Sequence, residues 1–175
     1  VTIQPVRLFG DPVLRTRADE VVNFDHELRV LVADLVDTMR ARGGAGIAAP
    51  QIGVGLRVFA YDCGGASGHL VNPTFEVVGD EQSVLSEGCL SVPGVRGEIR
   101  RGEHVIAHGV DMHGQPVTLD ATGILARCVQ HETDHLDGVM FMQRMDPDDR
   151  KAAMRTIRES DWFGRQSVSA PGGGR

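Results

Sequence analysis

A chain of 175 residues, 41% of them hydrophobic, is long enough to bury a core as one domain without disulfide staples. Its formal net charge of -6 speaks against a broad basic surface for nucleic acid or anionic lipid and suits a small or peptidic substrate better. Three cysteines, Cys63, Cys89 and Cys128, are an odd and scattered set that makes no disulfide framework, which leaves metal ligand, reactive thiol or core filler as their roles.

The opening VTIQPVRLFGDPVL lacks the basic-then-apolar pattern of an export signal, and no later stretch approaches the length of a membrane span, so a cytoplasmic chain with no membrane partner is expected. After a turn at Gly10-Asp11-Pro12, the segment from Asp25 to Arg42 sets Leu28, Leu31, Val32, Leu35, Val36 and Met39 at three- and four-residue steps, which predicts an amphipathic helix. Gly43 and Gly44 stop it. The small-residue run GAGIAAPQIG follows and leads through a turn at Gly53 to Gly55 into the strand-like LRVFAYD.

Between Gly68 and Ile106, stretches around Val71, Phe75 to Val78 and Val84 to Leu85 alternate with turn signals, so short antiparallel strands are expected, with Cys89 where the region turns. His104 to Met112 and Pro116 to Leu119 flank His113-Gly114-Gln115 and read as a hairpin. From Thr122, an N-cap candidate, to Leu136 the apolar residues return to helical spacing, and Gly138 fits the position just past the helix end. A last helix is predicted from Asp146, with Pro147 in its first turn, to about Asp161. Residues 165–175 read as a disordered tail behind a single catalytic domain, 1–164. Strands clustered around two or three helices without a βαβ rhythm predict an α+β fold.

The chemistry concentrates in Gln130-His131-Glu132-Thr133-Asp134-His135. Imidazoles four residues apart project from one helix face on successive turns and can share a cation, while Glu132 is placed to move protons rather than to bind the ion. A third ligand is needed. The extended pattern HExxHxxGxxH fails because position 141 is Phe141; Glu159 on the last helix could act as in a zinc endopeptidase, and Cys89 in Glu87-Gly88-Cys89-Leu90-Ser91 could supply a soft thiolate.

The segments GAGIAAPQ, EGCLS and QHETDHLDG, in that order, resemble the three signature motifs of bacterial peptide deformylases, and the resemblance runs from GDPVLR to the last helix. It implies antiparallel sheets packed around a central metal-binding helix, with a C-terminal helix. It also implies hydrolysis of N-formylmethionyl nascent peptides to formate and a free amino terminus. By this resemblance His131, His135 and Cys89 hold one divalent metal, Glu132 is the general acid/base, and the Gln51 amide and the backbone N–H of Leu90 stabilise developing oxygen charge. Gly44, Ala45 and Gly46 would offer a backbone edge to an extended substrate, Arg96 would contact the chain beyond methionine, and Cys128 would line the methionine pocket. Two imidazoles and a thiolate suit zinc, ferrous iron, nickel or cobalt, and the resemblance favours ferrous iron in the cell. Glu87 and Asp134 are expected to orient ligands or neighbouring arginines, and the last helix, with Arg150, Lys151, Arg155 and Arg158, is where contact with the ribosome would fall.

Overall fold

The protein is described here by a computed structural model covering residues 2–164 together with Ser167 and Val168. Its strands are β1 (Val6–Arg7), β2 (Gly46–Ala48), β3 (Val58–Cys63), β4 (Ala66–Val77), β5 (Gln82–Gly88), β6 (Arg96–Gly102), β7 (His104–Val110), β8 (Pro116–Thr122) and β9 (Ser167–Val168). Its α-helices are α1 (His26–Ala41), α2 (Gly123–Leu136) and α3 (Pro147–Arg158). Among the described residues the named strands all pair antiparallel, as a five-stranded sheet in the order β2-β3-β4-β7-β8, a β5-β6 ribbon and a short β1-β9 pair, and one isolated parallel bridge joins Asp19 to Leu56. This is the expected α+β architecture.

Strand alternation explains where the helices sit. In β3, Val58 and Ala60 join the cluster built on Leu28, Leu31, Val32, Leu35 and Met39 of α1, whereas Phe59 and Tyr61 join the cluster containing Ala126, Cys128, Val129 and Leu136 of α2. Successive residues of a strand face opposite sides of its sheet, so α1 and α2 cover opposite faces of the central strand. Burial on both faces accounts for the continuous apolar run VFAY. A third cluster joins Leu8, Leu14, Val92, Val95 and Ile99 to Phe141, Met142, Met145 and the inner face of α3.

Asp25 caps α1 by accepting from Leu28 N–H at 3.1 Å. Gly138, at φ +75°, follows α2 and lets the backbone turn against Arg15 and Thr16, where a Cβ would stand 2.8 Å from backbone. Thr122 and Asp146 occupy the cap positions of α2 and α3 but make no side-chain capping bond, and α3 ends at Arg158, short of the expected Asp161.

Two expectations need correction. The strand around Val71 and the one from Phe75 to Val78 are one twelve-residue strand, β4, which runs through Pro73. Its register shifts between Val71 and Thr74, and Asn72, at φ 51°, is held there by exchanging two hydrogen bonds with the Val21 backbone. Within the expected tail, Ser167 and Val168 pair with Arg7 and Val6, so their backbone groups are used by β1. Residues 165, 166 and 169–175 of that tail lie outside the described residues. Among the described residues, no helix is long and apolar enough to cross a membrane.

Candidate active site

Three elements converge on one cleft of about 690 Å³. The short helix Ala49–Ile52 after β2 supplies Gln51, the turn leaving β5 supplies Cys89 and Leu90, and α2 supplies Cys128, His131, Glu132 and His135. Gly44, Ala45, Gly46, Gln51, Cys89, Leu90, Arg96, Cys128, His131 and Glu132 all line it. His135 lies just beneath, 1% exposed, with Nε2 at 3.3 Å from Cys89 Sγ.

The ligand atoms of Cys89, His131 and His135 lie within 4.8 Å of one another, the only such cluster among the described residues. Two imidazoles and a thiol at this separation fit a tetrahedral divalent metal with one position left open. His131 Nδ1 stands 2.8 Å from Glu87 Oε1, so the carboxylate accepts a hydrogen bond from Nδ1–H and leaves Nε2 as the atom that can bind a metal. His135 is held well below the usual imidazole range, first by burial and then by the positive charges of His131 and Arg101, so it presents a neutral ring. Burial alone would lower His131 as well, but hydrogen bonds to Cys89 and Glu87 reverse this and raise it to about 10 in the metal-free chain. Glu159, the alternative third ligand, is exposed at the end of α3 and takes no part in this cluster.

Glu87 is itself saturated. Oε1 accepts from His131 and from Arg101 Nη2 at 2.9 Å, while Oε2 accepts from Arg101 Nε at 2.9 Å and Arg127 Nη1 at 2.6 Å. Burial would raise this carboxyl, yet the bonds from His131 and Arg101 win and hold it well below the usual range. Asp134 completes the network, accepting from Arg101 Nη1 at 2.7 Å and from both arms of Arg144.

Glu132 stands in contrast. It is 4% exposed, its Oε2 has no hydrogen-bond partner among the described residues, and burial followed by the negative charge of Glu87 raises it to about 7, against the opposing charge of His131. A carboxyl poised near neutrality and not engaged elsewhere can both take and give a proton. Gly46 makes room for it: a Cβ there would lie 2.7 Å from Glu132 Oε1 and 2.9 Å from Cys128 Sγ.

Gln51 is buried with both ends committed. Its Oε1 accepts from Ala48 N–H at 2.9 Å, and Nε2 donates to Ser91 Oγ at 3.1 Å beside Cys89 Sγ at 3.6 Å, which aims the amide into the cleft. β2 is an edge strand paired only with β3, so it leaves backbone groups along the cleft for an extended chain. Cys128 Sγ lies 3.6 Å from Ala45 O. Arg96 sits at the exposed lip, its guanidinium on the oxygens of Ser86. Arg101 and Arg127 were invisible to the sequence reading; nothing in EIRRGE or ILARCV separates an inward arginine from a solvated one.

The family model described as polypeptide deformylase matches residues 3–151. The peptide deformylase of Acidothermus cellulolyticus is 55% identical over 165 residues, covering 94% of this chain and 91% of that protein. Peptide deformylase 1 of Corynebacterium efficiens is 54% identical over 169 residues, covering 94% of this chain and all of its own length (100%). Among solved structures, the peptide deformylase of Ehrlichia chaffeensis in complex with actinonin superposes with a TM-score of 0.85 at 32% identity, covering 92% of this chain and 99% of that one.

Proposed function

Because the chain belongs to the peptide deformylase family, and so removes the N-formyl group from newly made peptides, we propose how its own residues carry out that hydrolysis. Cys89, His131 and His135 hold one divalent metal, ferrous iron in the cell, with zinc, nickel or cobalt able to replace it. When bound, that ion supplies Lewis acidity toward the formyl oxygen and lowers the pKa of water.

The remaining work falls to the chain. Glu132 accepts a proton from the attacking water as its oxygen bonds to the formyl carbon, then delivers that proton to the departing nitrogen as the carbon–nitrogen bond breaks. The products are a free amine and formic acid, which ionises to formate by giving its proton to solvent, and the Glu132 carboxylate returns to its starting state. Gln51 Nε2–H and the backbone N–H of Leu90 donate to the formyl oxygen as its charge grows. Gly44, Ala45 and Gly46 align the peptide along the free edge of β2, Cys128 borders the methionine side chain, and Arg96 borders the residues beyond it.

The observation that carries this reading is the buried Glu132 carboxyl, with Oε2 unpartnered among the described residues, beside a three-donor metal cluster in a cleft with an open strand edge. It is tested by formate release from a formyl-methionyl tripeptide, with protein prepared without oxygen and loaded separately with ferrous iron, nickel and zinc. Rapid turnover of the formylated peptide, none of its acetylated counterpart and a ranking of the metals are expected; full metal occupancy with no formate release would refute it. We propose that the protein acts in the cytoplasm near the ribosome, where nascent chains emerge. Arg150, Lys151, Arg155 and Arg158 of α3 are the proposed contacts, and co-sedimentation with ribosomes at low and high salt tests them.

A further inference from the structure

We infer that Arg127 is a positioning residue that fixes the β5-β6 ribbon, and with it Cys89, against the helix bearing His131 and His135. This rests on the reading that these three residues hold the metal. Two of the ligands stand on α2, but the third leaves a two-stranded ribbon that pairs with no other strand among the described residues. Such a ribbon is marginal alone and must be held by what it packs against. Apolar packing holds it weakly in the middle of β5, where Val84 and Leu85 are 42% and 43% exposed.

Arg127, one turn before His131 on α2, grips the ribbon through both strands. Its Nη2 donates to Ser83 O at 2.9 Å and Ser83 Oγ at 3.1 Å on β5, and its Nη1 donates to Ile99 O at 2.8 Å on β6 and to Glu87 Oε2 at 2.6 Å. Ser83 and Glu87 lie on one face of β5 because they are four residues apart, and Ile99 belongs to the same inward face of β6. Arg101 stands opposite Ser83 on β6 and reaches along the same face to Glu87, which it joins to Asp134. The ribbon is therefore bound to α2 at two points along the helix, Arg127 and Asp134, and two points fix its angle. Cys89 directly follows the ribbon, so this angle sets where the thiol meets His135. Arg127 is 6% exposed and its Nε has no partner among the described residues, a desolvation cost that its backbone anchoring of the ribbon offsets.

The test compares wild type with Arg127→Met, Arg127→Lys and Ser83→Ala, the last of which removes one acceptor and leaves no charge uncompensated. Cobalt affinity is measured by competition with a chelator, the thiolate-to-cobalt absorption reports Cys89 coordination, and hydrogen exchange on metal-free protein reports the ribbon amides. The expected result is cobalt affinity weaker by about 10–100-fold in Arg127→Met, the range for residues that orient ligands, with a diminished thiolate band and faster exchange in β5 and β6. Arg127→Lys should recover part of the loss, and Ser83→Ala should show a smaller loss in the same direction. Unchanged cobalt affinity and thiolate band in Arg127→Met overturn the inference even if melting temperature falls; if that variant does not fold, unchanged values in both Arg127→Lys and Ser83→Ala overturn it. Wild-type protein that binds cobalt through Cys89 yet releases no formate would refute the activity, and the affinity comparison would still decide the role of Arg127.

Discussion

His131 Nδ1 and Glu87 Oε1 are 2.8 Å apart, and that one contact ties the orientation of a ligand ring to a buried ionic network. The carboxylate accepts four hydrogen bonds, three of them from the guanidinium groups of Arg101 and Arg127, so it stays ionised, and an ionised Glu87 fixes a His131 proton on Nδ1. Glu87→Gln keeps the shape but replaces one acceptor oxygen by an NH₂ facing arginine donors. Metal affinity should fall by about 10–100-fold. Stability should fall by about 3–5 kcal/mol, because buried guanidinium charge loses its partner. Chelator competition and urea unfolding measure the two losses on the same protein.

Glu132→Gln should separate binding from turnover. The three metal donors are untouched, so metal content should match wild type, whereas the amide cannot accept a proton. Formate release should drop on the order of 10²–10⁴-fold, the range for a general acid/base. Wild-type turnover in this variant would exclude Glu132 as the proton carrier.

Gly46→Ala tests the close approach of β2 to α2. The added Cβ would meet Glu132 Oε1 at 2.7 Å and Cys128 Sγ at 2.9 Å, so the carboxylate or the strand must move. A cost of about 1–3 kcal/mol in stability is expected from overpacking. Since Gly46 also belongs to the strand edge proposed to align substrate, KM should rise together with a lower kcat. Steady-state kinetics on the formylated tripeptide, beside a thermal melt, would show whether the two effects come together.

Much of this site was legible because its parts are local. His131 and His135 share a helix face by spacing alone, and the apolar positions of α1 and α2 gave those helices within a few residues of their ends. Joining Cys89 to the histidines took motif resemblance, because the contact spans 46 residues and spacing carries no information at that range. The arginine network was out of reach for the same reason: Arg127 and Glu87 are 40 residues apart, and a charged residue between apolar neighbours on a helix reads as a solvated position until the ribbon closes over it. β4 was misread because Pro73 ordinarily ends a strand, and only the positive φ of Asn72, stabilised by Val21, carries the chain through.

The acid limit of stability should include His69, away from the cleft. Its Nε2 accepts from Met112 N–H at 3.0 Å, which pins the turn after β7 to β4 and requires the neutral ring. Burial lowers its pKa below the ordinary 6.5, only partly opposed by Asp111, while His113 lowers it further. The unfolded chain therefore binds this proton more readily than the folded one. The contribution of His69 is fully present above about pH 6.5 and is lost as pH falls from there through the folded value. Replacing it by Gln keeps an acceptor that does not titrate, so the variant should lose less stability than wild type between pH 7.5 and 5.5. Urea midpoints at the two pH values measure this. Equal losses in the two proteins would place the acid sensitivity on other groups, whereas a smaller loss in the variant would assign it to the hydrogen bond between β4 and the β7-β8 turn.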